Sequence, residues 1–113
     1  MTETKMSMET YQQGCMRTAG TVREEQDALV WGALCLAGES GEFANWVKKV
    51  HWHGHDYDRA KVIDELGDIL WYIAATAQHL GISLDEIGQY NLDKLAKRYP
   101  QGFSSERSRN REE

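Results

Sequence analysis

Apolar side chains recur along this chain with the period of an α-helix, not that of a strand. Between about Asp27 and about Val50, Leu29, Leu36, Phe43, Val47 and Val50 fall on one side at 3.6 residues per turn. Asp58 can cap a further helix reaching about Leu80. There Val62, Ile63, Leu66, Ile69, Leu70, Ile73, Ala74 and Ala77 make a broad apolar face, so this helix should be central. A weaker pattern, Tyr11, Cys15 and Met16, predicts a first helix near Ser7 or Met8, with Ser7 as its cap. Ser83 opens a last helix, with Glu86 three residues on in a capping-box arrangement. Ile87, Leu92 and Leu95 are its apolar contacts, and it ends before Pro100.

The polar and glycine positions punctuate these runs. Gly20 to Glu24 reads as a connection. His51 to Tyr57 has no period and a central Gly54, and reads as a loop. Gly81 closes the third helix as its C′ residue. Gly32, Gly38 and Gly41 lie inside the second helix, where each costs about 1 kcal/mol against Ala. They imply close approach by another helix or a ligand, or a local break. No alternating Val/Ile/Thr run suggests a strand. The expectation is an all-α bundle of about four helices in one domain, residues 1–103. Ser104 to Glu113 is charged and nearly without apolar residues, so it is expected to be a disordered tail.

The length of 113 residues allows one domain with a small core. The net charge of −5 argues against a nucleic-acid polymer as partner, because such binders need a basic face. It leaves a nucleotide substrate open, since a divalent metal can supply positive charge. Cys15 and Cys35 read as reduced thiols, not as a disulfide framework. The stretch from Met1 to Met8 has no secretory apolar run, and no stretch approaches the roughly 18 apolar residues of a membrane span. A cytoplasmic protein is expected.

Two acidic pairs carry candidate chemistry. Glu39 and Glu42 lie three apart on the second helix, Glu65 and Asp68 three apart on the third. Residues at this spacing point the same way. Each pair sits beside the apolar arc of its helix, where packed neighbours meet, and not across from it. If the two helices are antiparallel, four carboxylates can converge. Converging, partly buried carboxylates repel, and either protonation or a bound cation relieves them. An all-oxygen set suits Mg²⁺, with Mn²⁺ as a substitute, and leaves positions for water and phosphate. A di-iron bundle would need Glu-x-x-His motifs, which neither pair begins. A solvated acidic face is the structural alternative.

Gly38-Glu39-Ser40-Gly41-Glu42, Lys48-Lys49, Asp64-Glu65-Leu66-Gly67-Asp68-Ile69-Leu70-Trp71-Tyr72 and Asn91-Leu92-Asp93-Lys94-Leu95-Ala96-Lys97-Arg98-Tyr99-Pro100 together resemble the MazG-like branch of the all-α nucleoside triphosphate pyrophosphohydrolases. The likeness runs from about Leu29 to Phe103. It implies a helical bundle assembled as a homodimer or a dimer of dimers. It also implies Mg²⁺-dependent cleavage between the α and β phosphates of a (deoxy)nucleoside triphosphate, which leaves the monophosphate and pyrophosphate. Glu39, Glu42, Glu65 and Asp68 match the metal-binding acids of the family. Gly38 stands where the family often has a further acid.

In that mechanism the ion spreads charge on the phosphates and acidifies the water that attacks phosphorus. Glu42 is the candidate to accept the proton, and Glu65 is counted with it as catalytic. Substrate contacts fall on Lys49 and Lys61, which share the side of the acids, and on Tyr72, one turn beyond Asp68. Asn91, Lys94 and Arg98 form one stripe on the fourth helix, and a solvated basic face is the bland reading of that stripe. Trp46 and Trp52 are the tryptophans best placed to stack on a base. His51, His53 and His55 alternate but lack a cysteine partner, and a flexible loop makes a poor metal cage. A helical nucleotide-binding or regulatory module that has lost turnover is the alternative function, and Gly38 is the feature that favours it.

Overall fold

The computed structural model describes residues 5–111. Residues 1–4 of the stretch read as lacking a secretory run, and 112–113 of the charged tail, lie outside the described residues. Among the described residues five helices follow one another: α1 (Met8–Ala19), α2 (Glu25–Trp52), α3 (Arg59–His79), α4 (Leu84–Arg98) and α5 (Ser105–Arg109). The architecture is all-α, as the periodicity requires.

Local chemistry sets most of the boundaries. Ser7 and Thr10 form a reciprocal box at the start of α1: Ser7 Oγ accepts from Thr10 N at 3.1 Å, and Thr10 Oγ1 accepts from Ser7 N at 2.8 Å. Asp58 caps α3 through Ala60 N and Ser83 caps α4 through Glu86 N, each at 3.0 Å. At the end of α3, Gly81 turns at φ +72°. Ile82 N then donates to Ala77 O and Gly81 N to Gln78 O, which is a Schellman closure. The second helix runs two residues past its expected end, so His51 and Trp52 belong to its last turn and the connection to α3 begins at His53.

The α2–α3 pair is the centre of the fold, with α1 laid on α3 and α4 resting mainly on α1. The pair is antiparallel. Gly32 meets Thr76 at one end, while Glu39 and Glu42 meet Glu65 at the other, so positions on α3 fall as those on α2 rise. Buried Gln12 ties α1 to the α3–α4 turn. Its amide donates to Ile82 O at 2.7 Å and accepts from Leu84 N at 3.0 Å. Burying an amide is tolerable only with such bonds made.

Three expectations are corrected. The Leu29–Val50 arc of α2 is only partly covered: Leu29 and Val47 are exposed, while Leu36, Phe43 and Val50 are half buried. The fully buried positions of α2 are Ala28 and Gly32, with Trp31, Cys35 and Glu39 half buried beside them. Small residues win because they let α3 approach. A Cβ at Gly32 would lie 2.6 Å from Thr76 Cγ2. Gly32 therefore is a close-approach glycine, whereas Gly38 and Gly41 face open space and the helix runs through them unbroken. Lastly, the charged tail holds α5. Ser104 caps it, and Arg107 Nε donates to Arg98 O at 2.6 Å.

The core is made of small side chains, Cys15, Ala28, Ala74, Ala75, Ala77 and Leu84. Leu29, Val30, Leu34, Ile63, Leu66 and Leu92 are exposed. The radius of gyration is 17.5 Å, against about 13 Å for a compact chain of this length. Among the described residues no helix is long and apolar enough to cross a membrane.

Candidate metal centre

The antiparallel pairing of α2 and α3 decides what the acids can do. Glu39 and Glu42, one turn apart on α2, face Glu65 on α3. One carboxylate oxygen from each lies within 4.8 Å of the others. Glu65 is buried, with 6% exposure, Glu39 is half buried and Glu42 is exposed. The cluster thus grades from the helix interface to solvent, as a site with one open side should.

Its charge is poorly neutralised. Lys61 Nζ reaches Glu65 Oε1 at 2.9 Å across one turn of α3. The other oxygen of Glu65 and Oε2 of Glu39 are buried without a hydrogen-bond partner among the described residues. Such orphaned acceptors cost about 1–3 kcal/mol each, more when charged. Burial, then the charges of Glu42, Asp68 and Glu65, push the Glu39 carboxyl above the usual carboxylate range. The Lys61 ammonium is held charged to higher pH, first by its bond to Glu65.

These residues fit a hard divalent cation. Three carboxylate oxygens from two helices converge, two of the groups carry an unsatisfied buried oxygen, and among the described residues no sulfur or imidazole joins them.

The remaining site residues from the sequence fall into two groups. Near the cluster, Asp68 is exposed one turn beyond Glu65; it lies outside the tight trio but its charge reaches Glu39 and Lys61. Tyr72 follows it, its phenol pushed up by burial and by the neighbouring Cys35, Glu39 and Asp68. Trp46 and Lys49 are half buried farther along α2. Beyond them Phe43, Val47, Lys48, His51 and Trp52 line a shallow apolar groove of about 510 Å³. Asn91 and Lys94 form the other group, with Arg98. They lie on α4, and among the described residues no hydrogen bond or ion pair joins Asn91 or Lys94 to the acids. His51 stacks edge-on against Trp52 at 4.7 Å and joins no metal-holding group of the described residues.

Sequence reasoning passed over Cys35. It neighbours the Tyr72 hydroxyl and, after burial, helps push that phenol up. The signal was present: Cys35 lies four residues before Glu39, on the same helical stripe.

The chain is 37% identical over 83 residues to the Gene 37 protein of Mycobacterium phage L5, covering 67% of this chain and 70% of the phage protein. No solved structure matches it. Residues 32–103 match the model of the MazG nucleotide pyrophosphohydrolase domain, a stretch that contains all four candidate acids. The chain belongs to the MazG nucleotide pyrophosphohydrolase family.

Proposed function

We propose that this protein hydrolyses (deoxy)nucleoside triphosphates to the monophosphate and pyrophosphate, with Mg²⁺ held by Glu39, Glu42, Glu65 and Asp68. The observation that carries this reading is the pair of buried, unpartnered oxygens of Glu39 and Glu65 within a three-carboxylate cluster that spans two helices. The bound cation would neutralise phosphate charge and acidify water. Glu42, the exposed member, would accept the proton from the attacking water. Glu65 is held at the α2–α3 contact by burial and by its ion pair with Lys61. Tyr72 borders the acids and orders their outer edge. Lys49 and Trp46 would meet the phosphates and the base. Asn91, Lys94 and Arg98 would meet phosphate and sugar. The protein would serve to clear nucleotides from the pool.

We also propose that it works as a homodimer or homotetramer. The support is the exposed apolar side chains of α2, α3 and α4 and a radius of gyration well above that of a compact monomer.

The test is a panel of ribo- and deoxyribonucleoside triphosphates incubated with Mg²⁺, with products resolved by chromatography. Monophosphate and pyrophosphate, lost on chelation and in Glu65→Gln, are expected. Diphosphate and inorganic phosphate would place the cleavage at another bond and refute the reading. Nucleotide binding without turnover would assign the fold a regulatory role, for which Gly38, in place of a further acid, is the sequence feature.

A further inference from the structure

Between Asp27 and Lys48 the charged residues of α2 are Glu39 and Glu42, and both belong to the cluster that faces Glu65 on α3. The opposite side of the helix carries no charge over about 28 Å, in a chain of which 27% is charged. Leu29, Val30 and Leu34 stand exposed on the first half of that side, Leu34 at 69%. The second half offers Ala37, Gly41 and Ala44, also exposed. Packing of α2 within the chain is mainly on α3, so these side chains stay open to solvent. A contiguous uncharged face of this kind marks an interaction surface.

The distribution of bulk along the face selects its occupant. Large side chains occupy the N-terminal half and hollows the C-terminal half. A second α2 running antiparallel therefore sets bulk into hollow on both sides of a two-fold axis. With the axis near Ala37, Leu34 comes opposite Gly41 and Val30 opposite Ala44. The apolar groove between Val47 and Trp52 extends the hollow half at its end. The charges at the two ends agree with this direction, because the same axis sets Asp27 opposite Lys48. Asp27 Oδ2 is held by Arg23 at 2.8 Å, and Lys48 has no ion-pair partner among the described residues. A parallel pair would instead set like charge beside like charge and Leu34 against Leu34. Gly41 gains a reason as well. A Cβ there would meet nothing within 4 Å in its own chain, so this fold does not need a glycine that costs about 1 kcal/mol against Ala. A second helix approaching closely does need it, as α3 needs Gly32.

We propose that this face of α2 is the contact between two copies of the chain, paired antiparallel about an axis near Ala37. The inference rests on the assembly reading above and names its interface. Residues two apart on a helix point away from each other, so Ala37 and Glu39 lie on different sides and pairing leaves the acids uncovered. The test is sedimentation of the full chain as parent, Leu34→Glu, Gly41→Leu and Leu92→Glu, the last changing the exposed apolar side of α4. An assembled parent is expected, with the dissociation constant raised at least about tenfold by Leu34→Glu and by Gly41→Leu and unchanged by Leu92→Glu. Leu is a better helix former than Gly, so circular dichroism should show helix retained in Gly41→Leu, and misfolding does not account for the loss. Asp27→Lys should weaken the pair, and Lys48→Asp in the same chain should restore it. Dissociation by Leu92→Glu with indifference to Leu34→Glu and Gly41→Leu overturns this interface and leaves the assembly reading standing. A monomeric parent overturns both. Failure of the double charge reversal to restore the pair overturns the antiparallel arrangement. Mg²⁺ titration unchanged in Leu34→Glu separates the face from the metal centre.

Discussion

The two ends of the α2–α3 pair answer opposite demands. At one end Gly32 admits Thr76, whose hydroxyl is itself bound to Tyr72 O, and Trp31 packs against Trp71, Tyr72 and His79 at 5.4–6.1 Å. Nearly every group there has a partner. Eleven residues or fewer along each helix, three carboxylates converge with oxygens left unsatisfied. The same helix contact is a packed joint at one end and a cluster of unsatisfied carboxylates at the other. The lesson is that the joint supplies the stability which lets the acids be held together against their repulsion.

The largest effect expected from breaking this division is at the acid end. Glu65→Gln keeps shape and burial but removes a charge, and should lower turnover by about a thousandfold with the fold retained by circular dichroism. Turnover within a factor of two of the parent would show that Glu65 holds nothing needed in the reaction.

At the joint the currency is stability. Gly32→Ala forces a Cβ into Thr76 and should cost about 2 kcal/mol in urea unfolding. Adding Thr76→Ser, which trims the methyl, should return part of that loss. A Gly32→Ala protein as stable as the parent would mean the helices are free to separate.

His79 links the joint to the connection between α1 and α2. It is 6% exposed, accepts from Arg23 N at 3.0 Å through Nδ1, and leaves Nε2 buried without a partner. Burial, and then the Arg23 charge, lower its pKa from 6.5, with Asp27 opposing them. The unfolded chain therefore takes up a proton first. This contribution is intact above about pH 6.5 and is lost as pH falls from there toward the folded value. Unfolding free energies at pH 7.5 and 5.5 should differ more for the parent than for His79→Gln. Equal differences would remove His79 from the account.

The smallest effect concerns Glu39. Its raised pKa marks strain in the ionised, cation-free state. Glu39→Gln should raise the melting temperature in EDTA while weakening Mg²⁺ binding. A lower melting temperature in EDTA would show the carboxylate to be stabilising there.

How much of this was legible follows from what each feature depends on. Helix ends were readable because caps are local: Ser7, Asp58, Ser83 and Gly81 act within a few residues of themselves. The packed face of α2 was not. Leu29, Val30, Leu34 and Leu36 spread apolar character around that helix, so periodicity selects no face, and steric access at Ala28 and Gly32 decides. The acids were found by their spacing of three, yet the register of the antiparallel pair leaves Asp68 outside the trio. The relation of Asn91 and Lys94 to the acids is a tertiary matter on which spacing is silent. The short α5 escaped because it is held by one distant bond, Arg107 to Arg98 O, in a segment whose composition reads as solvated.

The central claim is that the acid end is a cation site. Calorimetric titration of Mg²⁺ into the nucleotide-free protein tests it most directly, alongside Glu39→Gln and Glu65→Gln. Saturable binding in the parent, weakened at least about tenfold in each variant, is the expected result. Equal titration curves for all three proteins would contradict the claim.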